Sequence, residues 1–155
     1  MASLKSIRLK PIGFVRTKAS LEELKHRVAR SEIVVNKRYD KGLEGISGFS
    51  HIFVLYWMNK TSETERNVLT VHPRHHMNIP KQGIFATRSR FRPNPIGLTI
   101  VKLLKKTGDK LVVKGLDAYD GTPVLDLKPY DYWDRLEKIR VPDWWKKLES
   151  ERCKD

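Results

Sequence analysis

The sequence predicts an all-β protein: an antiparallel β-barrel with one short helix in its N-terminal half and another at its C-terminal end. Three observations lead there. Strand-like segments follow one another with short turns and little helix between them. Strand and helix do not alternate, and no segment repeats. No G-x-G-x-x-G follows the first strand, which sets aside a doubly wound α/β sheet of the nucleotide-binding type.

Residues 7–16 read as a strand interrupted by Pro11 and Gly13. Ser20 and Glu23 form a capping box, and Leu21, Leu24 and Val28 share a helical face, so a short helix is expected from Ser20 to about Arg30. The β-branched run 31–36 is a strand, and Asp40-Lys41-Gly42 and residues 45–48 mark turns. Residues 49–58 form the clearest central strand, too short an apolar run to cross a bilayer. Residues 59–82, polar and broken by Pro73 and Pro80, read as a long loop. Residues 84–87 look like a strand ending in a basic turn, 88–95. Residues 97–104 alternate as a strand, Gly108-Asp109 is a hairpin signal, and 111–116 return. A turn-rich loop at 117–123 precedes a strand at 124–128. Pro142 opens a terminal helix reaching Arg152, with Trp144, Trp145 and Leu148 on one face. The 155 residues fit one domain, 1–155, with a barrel core of about 7–132 and a helical tail of about 133–155.

Charge points to partners. The net charge is +13, and no Asp or Glu occurs between Arg66 and Lys106. A block of one sign favours a polyanion, nucleic acid ahead of an anionic membrane surface. Arg74, Arg90 and Arg92 within this block are the candidate RNA contacts. Cys153, the only cysteine, excludes an intrachain disulfide, and the N-terminus has no apolar signal region; both fit a reducing, cytoplasmic setting. Cys153 itself reads as an exposed, inert thiol.

Two segments carry chemistry. In GIFATRSRFRPNPIGLT (83–99), prolines flank Asn94 and stiffen its turn. Arg88, Arg90 and Arg92 alternate, so in an extended stretch they point to one side and repel unless an anion lies between them. The alternative is a basic surface loop with a rigid turn. In LDAYDGTPVLDLKPY (116–130), Asp117, Asp120 and Asp126 surround a Gly-Thr-Pro turn, which suits a ribose diol or an ammonium group. A divalent metal is the rival, but the spacing differs from the D-x-[DN]-x-[DN]-G calcium loop, and capping aspartates around an Asp-Gly turn are the plain alternative. His72, His75 and His76 invite zinc, yet H-E-x-x-H is absent and no cysteine is near; no metal is expected. Ser50 and His51, adjacent on a strand, should face opposite ways and make no nucleophile–base pair.

These motifs, with PIGFVRT (11–17) and LEGISGFSHIFVLYW (43–57), resemble the TsaA-like family of tRNA adenine-37 N6-methyltransferases, TrmO. The resemblance covers residues 11 to about 132. It implies a β-barrel homodimer that binds S-adenosylmethionine and methylates N6 of an adenosine beside the tRNA anticodon, already carrying a threonylcarbamoyl group. It implies cofactor contacts at Asn59, Lys60, Arg88, Leu98, Leu116, Asp117, Asp120, Gly121 and Thr122. Three departures stand out: Arg90 where members often have proline, residues 26–30 where many bacterial members have Pro-Arg-Gln, and a short aromatic tail in place of a C-terminal extension.

The implied chemistry makes demands on the residues. N6 is a poor nucleophile because its lone pair is delocalised, and a carbamoyl group delocalises it further while acidifying the N–H. The enzyme must accept that proton or hold it while the methyl transfers; a carboxylate suits that task, with Asp126 or Asp120 as the candidate, Asn94 on the base edge and Tyr130 stacking or hydrogen bonding. The competing expectation is a non-catalytic RNA-binding barrel, which the basic block supports equally and the acidic segment does not.

Overall fold

The computed structural model describes residues 6–152. In chain order it contains β1 (Gly13–Arg16), α1 (Leu21–Lys25), β2 (Arg30–Val35), β3 (His51–Trp57), α2 (Glu63–Arg66), β4 (Thr70–Val71), β5 (Gln82–Gly83), β6 (Ile96–Thr107), β7 (Lys110–Lys114), β8 (Pro123–Pro129) and α3 (Asp143–Arg152). Six strands close a barrel in the order β1-β2-β7-β6-β3-β8, each pair antiparallel, while β4 and β5 form a separate ribbon.

Side-chain alternation explains the barrel. Along β3, Ile52, Val54 and Tyr56 point inward and His51, Phe53, Leu55 and Trp57 outward. The inward set meets Val15, Ile33, Val101, Leu111, Val113 and Val124 in one core. Two bulges adjust the wall, one in β6 between Leu103 and Lys105 and one where β3 meets β8 at Leu55 and Tyr56. In the second the extra residue is Leu125 of β8, so Tyr56 keeps its inward place in the β3 alternation. Closure runs through a short seam. Only Gly13↔Val124 and Phe14↔Pro123 pair between β1 and β8, joined by Ile12 N–H to Val124 O (2.8 Å) and Val15 N–H to Thr122 O (2.9 Å). Gly13 is required where β1 approaches β2, because a Cβ there would lie 2.2 Å from the Val34 carbonyl oxygen.

Several expectations are corrected in detail. The first strand begins at Gly13 rather than residue 7; Pro11 offers no N–H to a ladder. The Ser20–Glu23 capping box forms as expected, with Ser20 N–H donating to Glu23 Oε2 (2.8 Å) and Glu23 N–H to Ser20 Oγ (3.3 Å). The helix nonetheless stops at Lys25, because Arg27 turns left-handed (φ 54°) and Arg30 enters β2. Of its expected apolar face only Leu24 is buried; Leu21 and Val28 are exposed. Residues 84–87 form a tight 3-10 turn, not a strand: both the N–H and the hydroxyl of Thr87 donate to Ile84 O, at 3.1 and 2.9 Å. The 59–82 loop holds a second capped helix, α2, on a Ser62–Glu65 capping box. The Asp40 and Gly45 turns are 3-10 turns, Lys37–Leu43 and Ile46–Gly48. The terminal helix starts after Pro142 with Leu148 buried, and Cys153 lies outside the described residues.

Candidate functional site

Two adjoining cavities, of about 890 and 340 Å³, share a wall made by Tyr56, Met58, Arg90 and Asp117. The wall follows from the strand register. Tyr56, at the inward end of β3, stands opposite Gly97 of β6, with Thr99 one inward position along. Leu116 anchors the chain in the core after β7, and Asp117 follows it. The left-handed turn at Arg27 brings a guanidinium to the same point. Asp117 therefore accepts four hydrogen bonds. Its Oδ2 takes Arg27 Nη2 (2.8 Å) and Nε (3.2 Å), and its Oδ1 takes Tyr56 OH (3.0 Å) and Thr99 Oγ1 (2.5 Å). This network fixes the shared wall, and no single sequence segment contains it.

Burial pushes the Tyr56 phenol up to about 12, and the Asp117 charge reinforces it, so the hydroxyl remains a donor. In the unfolded chain a tyrosine ionises near 10. The stability carried by the neutral phenol is thus fully present below pH 10 and lost as pH rises through 12. In an ultraviolet titration of the native protein, one of the five tyrosines is expected to ionise last, near pH 12. Tyr56→Phe should remove that step; a late step that persists in the variant would assign it elsewhere.

The larger cavity is strongly basic, with α3 as its opposite wall through Trp144, Trp145 and Leu148. Arg74 ties α3 down, donating to Leu148 O (3.3 Å) and pairing with Glu149 (2.8 Å). Arg88 donates to Leu98 O (2.9 Å), Arg90 pairs with Glu65 (3.0 Å), and Arg92 donates to Thr87 O (3.2 Å) and Ser89 O (3.0 Å). The expected extended, one-sided arginine row is therefore corrected: residues 88–95 turn, and each guanidinium has its own partner, although all three line the cavity. The smaller cavity lies between α1 and the 117–122 loop, where Lys60 Nζ sits 4.2 Å from the Tyr119 ring centre.

The expected site residues divide accordingly. Asn59, Lys60, Asp117 and Thr122 line the smaller cavity; Arg74, Arg88, Arg90, Arg92, Leu98 and Asp117 line the larger. Leu116 is fully buried in the core. Asp120 and Gly121 form the exposed turn next to Thr122, with Thr17 N–H donating to Asp120 Oδ1 (2.9 Å). Asn94, Asp126 and Tyr130 line neither cavity. Asn94 is exposed in its turn. Asp126 accepts from Leu127 N–H (2.9 Å) and pairs with Lys128 (2.7 Å), and Tyr130 packs edge-on against Phe53 with ring centres 5.6 Å apart. Sequence reasoning missed Arg27, Tyr56, Gly97 and Thr99. The available signal was Tyr56 itself, a hydroxyl at an inward position of an apolar strand. The Ser50–His51 expectation is also corrected: Ser50 precedes β3, and its Oγ lies 2.8 Å from His51 Nδ1. His72 Nδ1 donates to Ile79 O (2.7 Å), and His76 lies 3.6 Å from Glu151.

Residues 19–135 match the family model described as the tRNA-methyltransferase O N-terminal domain. A Methanothermobacter thermautotrophicus protein named "Probable S-adenosyl-L-methionine-binding protein" is 45% identical over 129 residues, covering 80% of this chain and 90% of its own. The mouse protein named tRNA (adenine(37)-N6)-methyltransferase is 40% identical over 114 residues, 72% of this chain and 26% of its own. Among solved structures, TrmO from P. aeruginosa superposes with a TM-score of 0.72 at 28% identity. That match covers 93% of this chain and 64% of the bacterial one, so the chain spans just under two thirds of its length.

Proposed function

The chain belongs to the tRNA-methyltransferase O family, and from that premise we propose that it is an S-adenosylmethionine-dependent methyltransferase acting on N6 of adenosine 37 in tRNA. The names of its archaeal and mouse relatives support cofactor and reaction respectively. The observation that carries the reading is the pair of cavities meeting at the Asp117 network, one compact and one lined by guanidiniums. Two substrates that react in line must be held side by side in fixed geometry, and adjoining spaces that share rigid lining residues can hold them so.

The residues present fit the cofactor. The cavities are of ligand size; Lys60 and Arg88 offer cations for a carboxylate, and Asn59 and the 117–122 loop offer amide and carbonyl groups. Bound there, S-adenosylmethionine supplies an electrophilic methyl group. The protein must hold the adenine and take the N6 proton. Asp117 already accepts four hydrogen bonds, which leaves it a poor proton acceptor and a good scaffold. Asp120, exposed on the turn at the rim of the smaller cavity, is the better acceptor. Asp120→Asn, which keeps the Thr17 contact, is expected to slow single-turnover methylation by about 10²–10⁴-fold. Asp126→Asn should stay within a few-fold of the parent, and the opposite pattern would move the proton to Asp126.

The finer parts of the reading are these. The adenine carries a threonylcarbamoyl group, whose carboxylate suits the guanidinium wall at Arg74, Arg88, Arg90 and Arg92. The enzyme is a homodimer: Ile96, Leu98 and Ile100 on the outside of β6 are exposed beside Phe53, Leu55 and Trp57 of β3, an apolar face that asks for cover. Asn94, Asp126 and Tyr130 line neither cavity, and the reaction proposed here assigns them no step. The setting is cytoplasmic, where tRNA is matured; no described helix is long and apolar enough to cross a membrane.

The test is calorimetric titration with S-adenosylmethionine, followed by methyl transfer to tRNA carrying or lacking the threonylcarbamoyl group. Binding by the parent, weakened in Arg88→Ala, and transfer to position 37 are expected. A parent that binds tRNA but no cofactor would leave an RNA-binding barrel.

A further inference from the structure

A row of three cations and a histidine crosses the outside of the barrel. Arg30 of β2 stands opposite Lys114 of β7, Lys114 opposite Lys102 of β6, and Lys102 opposite His51 of β3. Their chain neighbours Ser31, Val113, Val101 and Ile52 are buried, so the four side chains point outward together. Like charges directly opposed on neighbouring strands repel and weaken a sheet. Among the described residues no carboxylate pairs with Arg30, Lys102 or Lys114, and Glu32, the next outward residue on β2, is paired with Arg16 at 3.4 Å. None of its members lines either cavity.

An arrangement that costs the fold stability and lacks internal counter-charges fits an external polyanion. We propose that Arg30, Lys114, Lys102 and His51 form a docking stripe for the phosphate backbone of the RNA substrate, outside the reaction site. The proposal rests on the reading that the substrate is RNA, and on none of the cofactor contacts. Three inter-strand steps give the stripe a length of about 14 Å. A double helix carries a backbone charge every ~1.7 Å of its axis in the DNA form, so a stripe of this length meets several phosphates. Along β3, His51 lies five residues from Tyr56, about 17 Å. A nucleotide reacting at the Asp117 wall therefore leaves its flanking helical stem within reach of the stripe. RNA is favoured over an anionic membrane because the same chain also lines its larger cavity with guanidiniums, which a flat bilayer does not enter.

The experiment measures binding of an unmodified tRNA transcript to the full chain across a salt series, for the parent and for Lys102→Gln/Lys114→Gln. The double variant is expected to bind roughly tenfold more weakly at low salt. Its slope of log affinity against log salt should be shallower by about two, one released counterion per lost phosphate contact. S-adenosylmethionine titration should be unchanged, and Tm unchanged or raised, since repulsion is relieved. An unchanged salt slope would overturn the stripe, and so would RNA loss accompanied by a lower Tm, which would mark a structural role. Phosphatidylserine vesicles provide the last arm: vesicle binding lost in the variant while RNA binding is unaffected assigns the stripe to lipid. The two failures are distinguishable, because a parent that binds no cofactor overturns the methyltransferase reading while the salt slope still decides the stripe.

Discussion

Alanine at position 97 is expected to destabilise the protein by about 3 kcal/mol and to abolish most cofactor binding. A Cβ there would lie 2.2 Å from both Cε2 and Cζ of the Tyr56 ring and 2.8 Å from Cδ2. Real contacts never come so close, so the ring must move. It can move only toward the cavities it lines, at the cost of its hydroxyl bond to Asp117. Overpacking a core typically costs about 1–3 kcal/mol, and a broken hydrogen bond to a charged acceptor adds about 1.5–3 kcal/mol. Partial relaxation keeps the sum near the lower end. Urea unfolding checks the value. A Gly97→Ala/Tyr56→Leu double variant should be less destabilised than the two single changes added together, because removing the ring removes the clash. Gly97→Ala with parental stability would mean that the ring swings aside freely and that the wall between the cavities is soft.

Asp117→Ala should be the other severe change. It leaves the Tyr56 and Thr99 hydroxyls and the Arg27 guanidinium without their acceptor. Arg27 is 36% exposed and water will solvate much of its charge, so its share is discounted. The buried hydroxyls carry the larger part, for a total of about 2–4 kcal/mol. Cofactor affinity should fall at least about tenfold, since both cavities lose one wall. A double-mutant cycle with Arg27→Ala is expected to return a coupling of about 1 kcal/mol. Loss of binding with unchanged stability would identify Asp117 as a ligand contact and not as the scaffold described above.

What was legible in the sequence was local. The capping box at Ser20, the Gly108-Asp109 hairpin and the central strand in the apolar run 49–58 each rest on residues close together in sequence, and each stands in the fold. The errors also have local causes. Ile84-Phe85-Ala86-Thr87 is an apolar run that fits either a strand or a turn, and a single hydroxyl, that of Thr87, settles it by bonding Ile84 O. Arg88, Arg90 and Arg92 alternate in sequence, but carbonyls and Glu65 claim them one by one. The candidate site was legible as loops and illegible as a network. Asn59, Lys60 and the 116–122 segment follow from resemblance, whereas the wall between the cavities joins Arg27, Tyr56, Thr99 and Asp117 from four separate segments. Nothing short of the barrel register brings Gly97 in front of Tyr56.

The seam between β1 and β8 has a consequence for synthesis. A strand near the start of the chain must wait for one near residue 124 before the cylinder can close. Until then β1 presents an unpaired edge, the kind of edge that invites wrong partners. Pairing so distant in sequence also makes for slow folding. On the ribosome, with chains emerging at about 5–20 residues per second, the first strand stays exposed for several seconds. Gly13, which lets β1 lie unusually close to β2, gives that waiting strand a partner on its other side from the moment residues 30–35 emerge. Strand β1 is thus left with one open edge instead of two.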